Sequence, residues 1–169
     1  MKKLLILLFA ASLTLASCTD NPPGVNKAFL KYGHKGGITS VTVPGFVIRL
    51  AASFADIEDE EKELLRSIDK VKVLAVDDHY LNEEIDLHGE FYNSINRDGE
   101  FEELLAVRDA SENVTIFGKM DDRDIIREMV ILVGGDDNAL VYIKGRLDPR
   151  LINEQIDCRG PDDFLSFDF

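Results

Sequence analysis

The stretch Asn113–Met120, NVTIFGKM, is followed by Ile125–Val133, IIREMVILV, and by Ala139–Leu147, ALVYIKGRL. Apolar and polar residues alternate within these runs and β-branched side chains are frequent, which is typical of strands. Clusters of turn-forming residues separate the runs, such as the segment GGDDN at 134–138. Together with Glu102–Asp109 the runs recur about every 12 residues, so we predict an antiparallel meander of four strands.

Two further strands and several helices are predicted on either side of the meander. The β-branched run Ile38–Val43 and the alternating run Lys70–Val76 indicate strands. Pro44 suits the first position of a helix, and the spacing of the apolar residues after it predicts a short buried helix over 44–55. The remaining predicted helices cover 57–68 and 80–97, with Gly99 as a left-handed cap, and a last helix begins at Pro149.

This order of elements predicts an α+β fold. We expect a two-layer sandwich, in which helices pack on one face of a mostly antiparallel sheet of about six strands. A chain of 169 residues is long enough for one such domain, which we place at 27–157. The other face of the sheet is expected to be half polar because it would carry four basic residues: Lys119, Arg127, Lys144 and Arg146.

Residues 1–17 have the pattern of a secretory signal peptide. Lys2 and Lys3 precede an apolar run from Leu4 to Ala16, and this run of about 13 residues is shorter than the roughly 20 that a spanning helix needs. The sequence Leu15-Ala16-Ser17-Cys18 matches the bacterial lipobox, in which the cysteine sulfur receives a diacylglyceryl group and the chain is cut before it. We therefore predict lipidation at Cys18 and stable anchoring in a membrane.

The mature chain would begin with a short tether over 18–26, where Pro22-Pro23 resists both helix and strand. Cys158 is then the remaining cysteine, and the sequence leaves open whether its thiol is buried, paired between chains or reactive. The segment 158–169 is an apolar C-terminal tail, expected to dock on the body or on a partner through Phe164, Leu165, Phe167 and Phe169.

The chain is strongly acidic, with 19 Lys and Arg against 32 Asp and Glu and a formal net charge of −13. Removal of 1–17 takes away only Lys2 and Lys3 and makes the net charge −15. Because nucleic-acid binding requires a basic face, nucleic acid is excluded as a partner. An acidic domain is also repelled by an anionic leaflet, which fits a globule held above the membrane by its lipid.

Several segments together resemble one family, an uncharacterised group of small Bacteroidetes lipoproteins catalogued as a domain of unknown function. The likeness covers most of residues 25–157. It implies the envelope compartment and supports the fold, but it implies no reaction, cofactor or catalytic residue. The segments that carry it are the lipobox, Val41-Thr42-Val43-Pro44, Glu103–Asp109, Val114–Phe117 and Val141–Asp148.

No motif in the sequence indicates catalysis or a cofactor. On a helix, His79 and Glu83 would share a face, as would Glu84 and His88, but the two pairs would point in different directions. A closed transition-metal site needs three or four convergent ligands, so we expect a solvated acidic helix and no metal. The chain also lacks a Gly-x-Ser-x-Gly motif and a phosphate-binding loop.

We therefore expect a membrane-anchored cell-envelope lipoprotein that acts as a non-catalytic interaction or structural module, not an enzyme. Its partners would be the membrane, through the lipid on Cys18, and an envelope protein that the sequence does not identify. Thr19 after the cysteine favours the outer membrane by resemblance to lipoprotein sorting rules, with the periplasmic face and the cell surface both open. Two alternatives remain, an envelope-stress sensor or regulator and a hydrolase with an unrecognised site.

Overall fold

The computed structural model describes residues 21–97 and 99–150. Within them the chain forms six strands and five helices. In chain order these are α1 (Pro23–Tyr32), β1 (Ile38–Pro44), α2 (Gly45–Phe54), α3 (Asp59–Arg66), β2 (Ile68–Val76), α4 (His79–Glu84), α5 (Leu87–Ile95), β3 (Glu102–Arg108), β4 (Glu112–Met120), β5 (Ile126–Gly135) and β6 (Ala139–Leu147).

The strands form one sheet in the order β1-β2-β6-β5-β4-β3, and every neighbouring pair is antiparallel. β3 to β6 form the predicted meander, and β1 and β2 form a hairpin-like pair that joins β6 through β2. Helices α1, α4 and α5 lie on one face of the sheet, which we call the helical face. The predicted α+β sandwich with a six-stranded antiparallel sheet is confirmed.

The larger hydrophobic core fills the space between the helical face and its helices. The register aligns Leu74, Leu140 and Leu132 in one row across three neighbouring strands, and all three side chains are fully buried. Val25 of α1 and Phe91 of α5 pack into the same core from the helical layer. Each such side chain contributes roughly 1.5–3 kcal/mol by leaving water, so this core holds the helices on the sheet.

The opposite face of the sheet is apolar, and the prediction that it is half polar is wrong. In the strand register, Lys119 and Lys144 both lie opposite Glu128. The Glu128 carboxylate accepts a hydrogen bond from the hydroxyl of Tyr142, which is on the helical face. Because residues paired across neighbouring strands point to the same side of the sheet, these lysines lie on the helical side. The opposite face instead carries an apolar row across all six strands: Val41, Val73, Val141, Ile131, Ile116 and Leu105.

Part of this second face is covered by α2 and α3, which lie mainly against β1 and β2. Ile48, Leu64 and Leu65 of these helices pack on a smaller core. The members of that core lie at one end of the sheet, where β6 ends and β2 and β5 begin: Ile68, Ile126, Met129 and Leu147. Toward β3 the second face is less covered, and Leu105 and Val107 are 49% and 48% exposed.

The first helix begins inside the stretch that was predicted to be a tether. α1 starts at Pro23, and a proline is tolerated there because the first N–H groups of a helix have no intrahelical partner. Gly24 allows α1 to lie close against α5, since a Cβ at this position would be 2.8 Å from the Ser94 carbonyl carbon. The prediction that Pro22-Pro23 resists a helix is wrong, and Val25 is already fully buried.

The predicted helix over 80–97 is interrupted and forms α4 and α5. Ile85 has an extended backbone, with φ −108° and ψ 124°. The Asp86 carboxylate then accepts a hydrogen bond of 2.7 Å from the Gly89 backbone N–H, which caps a new helix. Gly99 has the predicted positive φ of 66°, but it follows the last helical residue, Ile95, by four positions.

The helix predicted over 44–55 forms as α2, one residue later than expected, because Pro44 is the last residue of β1. It is not a buried helix. Ala52 is buried and Ile48 packs on the second core, but Phe46, Leu50 and Phe54 are 65%, 58% and 83% exposed. The apolar residues of α2 therefore form two stripes. The sheet covers the stripe with Ile48 and Ala52, and the stripe with Phe46, Leu50 and Phe54 is exposed.

Some predictions fall on residues outside the described part of the chain. These are the signal peptide 1–17, Cys18 with the start of the tether, and the tail 158–169 with Cys158. The helix predicted from Pro149 is described only for Pro149 and Arg150, which have helical backbone.

We predict that Phe117→Ala lowers the free energy of unfolding by about 3–5 kcal/mol, because Phe117 is fully buried in the larger core. The matched change Phe46→Ala should cost less than about 0.5 kcal/mol, since Phe46 lies on the exposed stripe of α2. Urea unfolding followed by far-UV circular dichroism measures both. Equal losses for the two variants would contradict the assignment of Phe117 to the core and of Phe46 to the exposed side of α2.

Candidate functional site

An open groove of about 700 Å³ lies where α4 and α5 meet the turn between β5 and β6. Asn82 and Glu83 line it from α4, and Asp86 lines it from the junction of the two helices. Asp136 and Asn138 contribute from the turn between the strands. The groove is therefore polar and acidic.

The floor of the groove is a hydrogen-bonded junction centred on Asn138, which is 3% exposed. Its Oδ1 accepts a hydrogen bond of 2.8 Å from the Leu87 backbone N–H. Its Nδ2 donates to Asn82 Oδ1 at 3.0 Å and to the Gly135 carbonyl at 3.3 Å. Both ends of the amide are occupied by protein groups, so Asn138 joins α4, α5 and the strand turn and is not available to a ligand.

Other polar groups of the groove are also used to hold the backbone. The Asn82 side chain donates to the Asp136 carbonyl. Asp86 Oδ1 caps α5, as described above. Gly134 lets α5 lie directly on β5, because a Cβ there would be 2.5 Å from the Cβ of His88. The site is thus a rigid joint between the helical layer and the sheet, with the carboxylates of Glu83 and Glu84 on its rim.

The histidines do not come together. His79 is exposed on α4, with its Nε2 3.5 Å from an oxygen of Glu83. His88 is buried under α5, where its Nε2 lies 2.9 Å from the hydroxyl oxygen of Thr115. No group of three or more His, Cys, Asp and Glu side chains within 21–97 and 99–150 is arranged to hold a metal ion.

Burial lowers the pKa of His88 below its ordinary value of 6.5. The carboxylates of Asp86 and Glu103 act in the opposite direction, while Arg108 adds to the lowering. The ring is therefore neutral near pH 7, hydrogen-bonded to Thr115 and packed beside the Tyr92 ring at a centroid distance of 5.5 Å. This environment is that of a core histidine.

Exposed apolar surface is the second candidate for a site. The α2 stripe, which we define as Phe46, Val47, Leu50 and Phe54, lies on the side of α2 away from the sheet. Large exposed apolar surfaces on soluble domains mark places where another surface binds. The sequence showed the spacing of these residues but not their exposure, because the same periodicity fits a helix that is covered on both sides.

The fold and the groove define this chain as a small α+β domain built on one antiparallel sheet. Residues 32–155 match the model of a family described as a domain of unknown function, DUF4252. This match covers more than half of the chain, which therefore belongs to the DUF4252 family. No match was found among curated proteins or among solved structures.

The resemblance seen in the sequence is thus confirmed for the domain of unknown function. The bacterial group and the lipoprotein signal stay predictions. None of the helices in the described ranges is both long and apolar enough to cross a membrane.

We predict that Asn138→Ala lowers the free energy of unfolding by about 1–3 kcal/mol, because it leaves the buried Leu87 N–H without its acceptor. Asn93→Ala, on the exposed side of α5, is the control and should change it by less than about 0.5 kcal/mol. Chemical denaturation measures the difference. If Asn138→Ala leaves the free energy of unfolding unchanged, the Asn138 amide does not hold the joint.

We also predict a pH dependence of stability that originates in His88. Its pKa is lower in the folded than in the unfolded state, so the unfolded chain binds the proton first as the pH falls. Stability should therefore decrease as the pH drops from about 7 toward 5. His88→Gln should remove this part of the slope, whereas His79→Gln should keep it. Identical pH profiles of thermal unfolding for the parent and His88→Gln would contradict this.

Proposed function

We propose that this protein is a lipid-anchored, non-catalytic interaction module of a bacterial cell envelope. The lipid on Cys18 holds it in the membrane, and Thr19 favours the outer membrane. The folded domain binds an envelope protein close to the bilayer. The observation that carries the proposal is the exposed α2 stripe.

The α2 stripe has the form of a helical recognition surface. Phe46, Leu50 and Phe54 are spaced by four residues, so they lie above one another along the helix. Each is more than half exposed, while the other side of the helix packs on the sheet through Ile48. Apolar anchors at such spacing are those by which a helix enters a hydrophobic groove, so the expected partner presents a groove of that kind.

The position of Asn21 and Pro22, the first described residues, supports binding near the membrane. Asn21 and Pro22 lie beside Lys119 and Glu128, at the end of the sheet where β4 ends and β5 begins. α2 starts after Pro44, which pairs with Lys70 at this same end. The three residue-to-residue steps from Cys18 to Asn21 span at most about 11 Å, so an anchored domain would carry α2 near the bilayer and the acidic groove away from it.

The proposal is tested by cross-linking in intact cells, followed by membrane fractionation and mass spectrometry. The parent should take up labelled palmitate, sediment with membranes and yield a cross-linked envelope protein. Cys18→Ser should lose the label and the membrane association, while Cys158→Ser should keep both. Leu50→Glu should keep the label but lose the cross-linked protein, because a carboxylate cannot enter an apolar groove without a large desolvation penalty.

Tyr80→Glu is the matched surface control, since Tyr80 is 79% exposed on α4. It should leave both the label and the cross-linked protein unchanged. If Cys18→Ser still sediments with membranes and the parent takes up no palmitate, the anchoring is refuted. If Leu50→Glu and Tyr80→Glu yield the same cross-linked protein as the parent, the role of the α2 stripe is refuted.

A further inference from the structure

One region of the sheet lacks a covering element among the described residues. We define the bare face as Leu105, Val107, Val114, Val133 and Val141, on the side of the sheet opposite the helical face. The register places Val107 beside Val114 and Val114 beside Val133, so the apolar surface continues across three strands. Leu105 and Val107 are about half exposed and the other three are half-buried.

α2 and α3 do not extend over this surface. They lie mainly against β1 and β2, whereas the bare face is formed by β3, β4, β5 and the neighbouring β6. The solvated face of an antiparallel sheet is commonly polar, whereas this one is apolar. A segment that covers the bare face would therefore stabilise the domain by removing apolar surface from water.

The chain leaves the described region on the same side of the sheet as this surface, at the end of β6. Leu147, the last residue of β6, is 3% exposed and packs in the smaller core on the same side of the sheet as the bare face. Asp148 then accepts a hydrogen bond of 3.0 Å from the Arg150 backbone N–H, and Pro149 and Arg150 have helical backbone. The chain thus leaves β6 on the side of the sheet that carries the bare face, about 20 Å along the strand from Val141.

The segment that follows has the length and composition to cover the bare face. It comprises residues 151–169, and 19 residues reach roughly 28 Å even at the rise of a helix. From Leu147 the bare face lies about 20 Å along the strands and extends three strand spacings, or about 15 Å, across to β3, so its far edge is roughly 25 Å away. The segment is rich in large apolar side chains: Leu151, Ile152, Ile156, Phe164, Leu165, Phe167 and Phe169.

We propose that residues 151–169 of the chain itself bind across the bare face and complete the second layer beside α2 and α3. This assigns the apolar tail to the body of the domain. It also leaves the α2 stripe as the apolar surface available to another protein. The proposal does not rest on the proposed function, because it holds equally for a chain without a lipid.

The test measures how fast a thiol reagent reaches the bare face in the full chain. In a Cys18→Ser, Cys158→Ser background, Leu105→Cys places one thiol on the bare face. Ala106→Cys is the matched control, because Ala106 is the next residue, is also exposed, and pairs with the buried Thr115 of the helical face. Leu105→Cys should react about ten-fold more slowly than Ala106→Cys, the ratio for a face covered about nine-tenths of the time.

Charge in the segment should remove this protection. Adding Phe164→Asp and Phe167→Asp should raise the rate at Leu105→Cys to that of Ala106→Cys and leave the latter unchanged. The pair Val107→Cys and Arg108→Cys gives the same comparison if a Leu105 variant does not fold. Equal rates at both thiols in the parent tail would overturn the proposal. Protection that survives the tail substitutions, or that increases with protein concentration as for a second copy, would also overturn it.

Discussion

A single antiparallel sheet that is apolar on both faces is the constraint from which the rest of this structure follows. On one side the row Leu74, Leu140 and Leu132 is fully buried beneath α1 and α5. On the other side a row of valine, isoleucine and leucine side chains runs through every strand from Val41 to Leu105. Because neither row can remain in water, the chain must supply two covering layers, and the described helices form one of them and part of the other.

The same constraint explains which parts of the fold the sequence could predict. The strands were predicted closely because alternation and β-branching are local properties of the chain, as in Ile38–Pro44 and Ala139–Leu147. The side to which each strand presents its residues was not predicted. Val114 and Ile116 alternate with Thr115 and Phe117, and both sets are apolar enough to be buried. Lys119 and Lys144 were therefore assigned to the wrong face.

The helices show a related difference between pattern and packing. The apolar spacing over 80–97 continues through the break between α4 and α5, but the Asp86 cap and the Asn138 joint favour two short helices. The groove was not predicted, because its residues come from 79–86, from Asn113 and from 135–138, and they meet only when the helices lie on the sheet. The exposure of the α2 stripe likewise depends on where the sheet ends, which no local pattern specifies.

The distribution of functional groups follows the same architecture. The acidic groove uses its buried amide to hold the helical layer on the sheet, and it lies at the end of the sheet away from Asn21 and the start of α2. Apolar surface is found instead on the side opposite the helical layer. In this chain the second apolar face, and not a set of reactive side chains, is the main feature outside the helical core.

The placement of the two apolar rows on opposite faces of the sheet is tested most directly by nuclear Overhauser effects between methyl groups. They are measured in the full chain with labelled Ile, Leu and Val. The Ile131 methyls should show contacts to Val141 and Ile116 along the strand register and to Ile48 or Leu64 of the second layer. They should show none to Leu87 or Val25, which lie under the helical face. Contacts from Ile131 to Leu87 or Val25 would place both rows on one side and contradict the two-faced sheet.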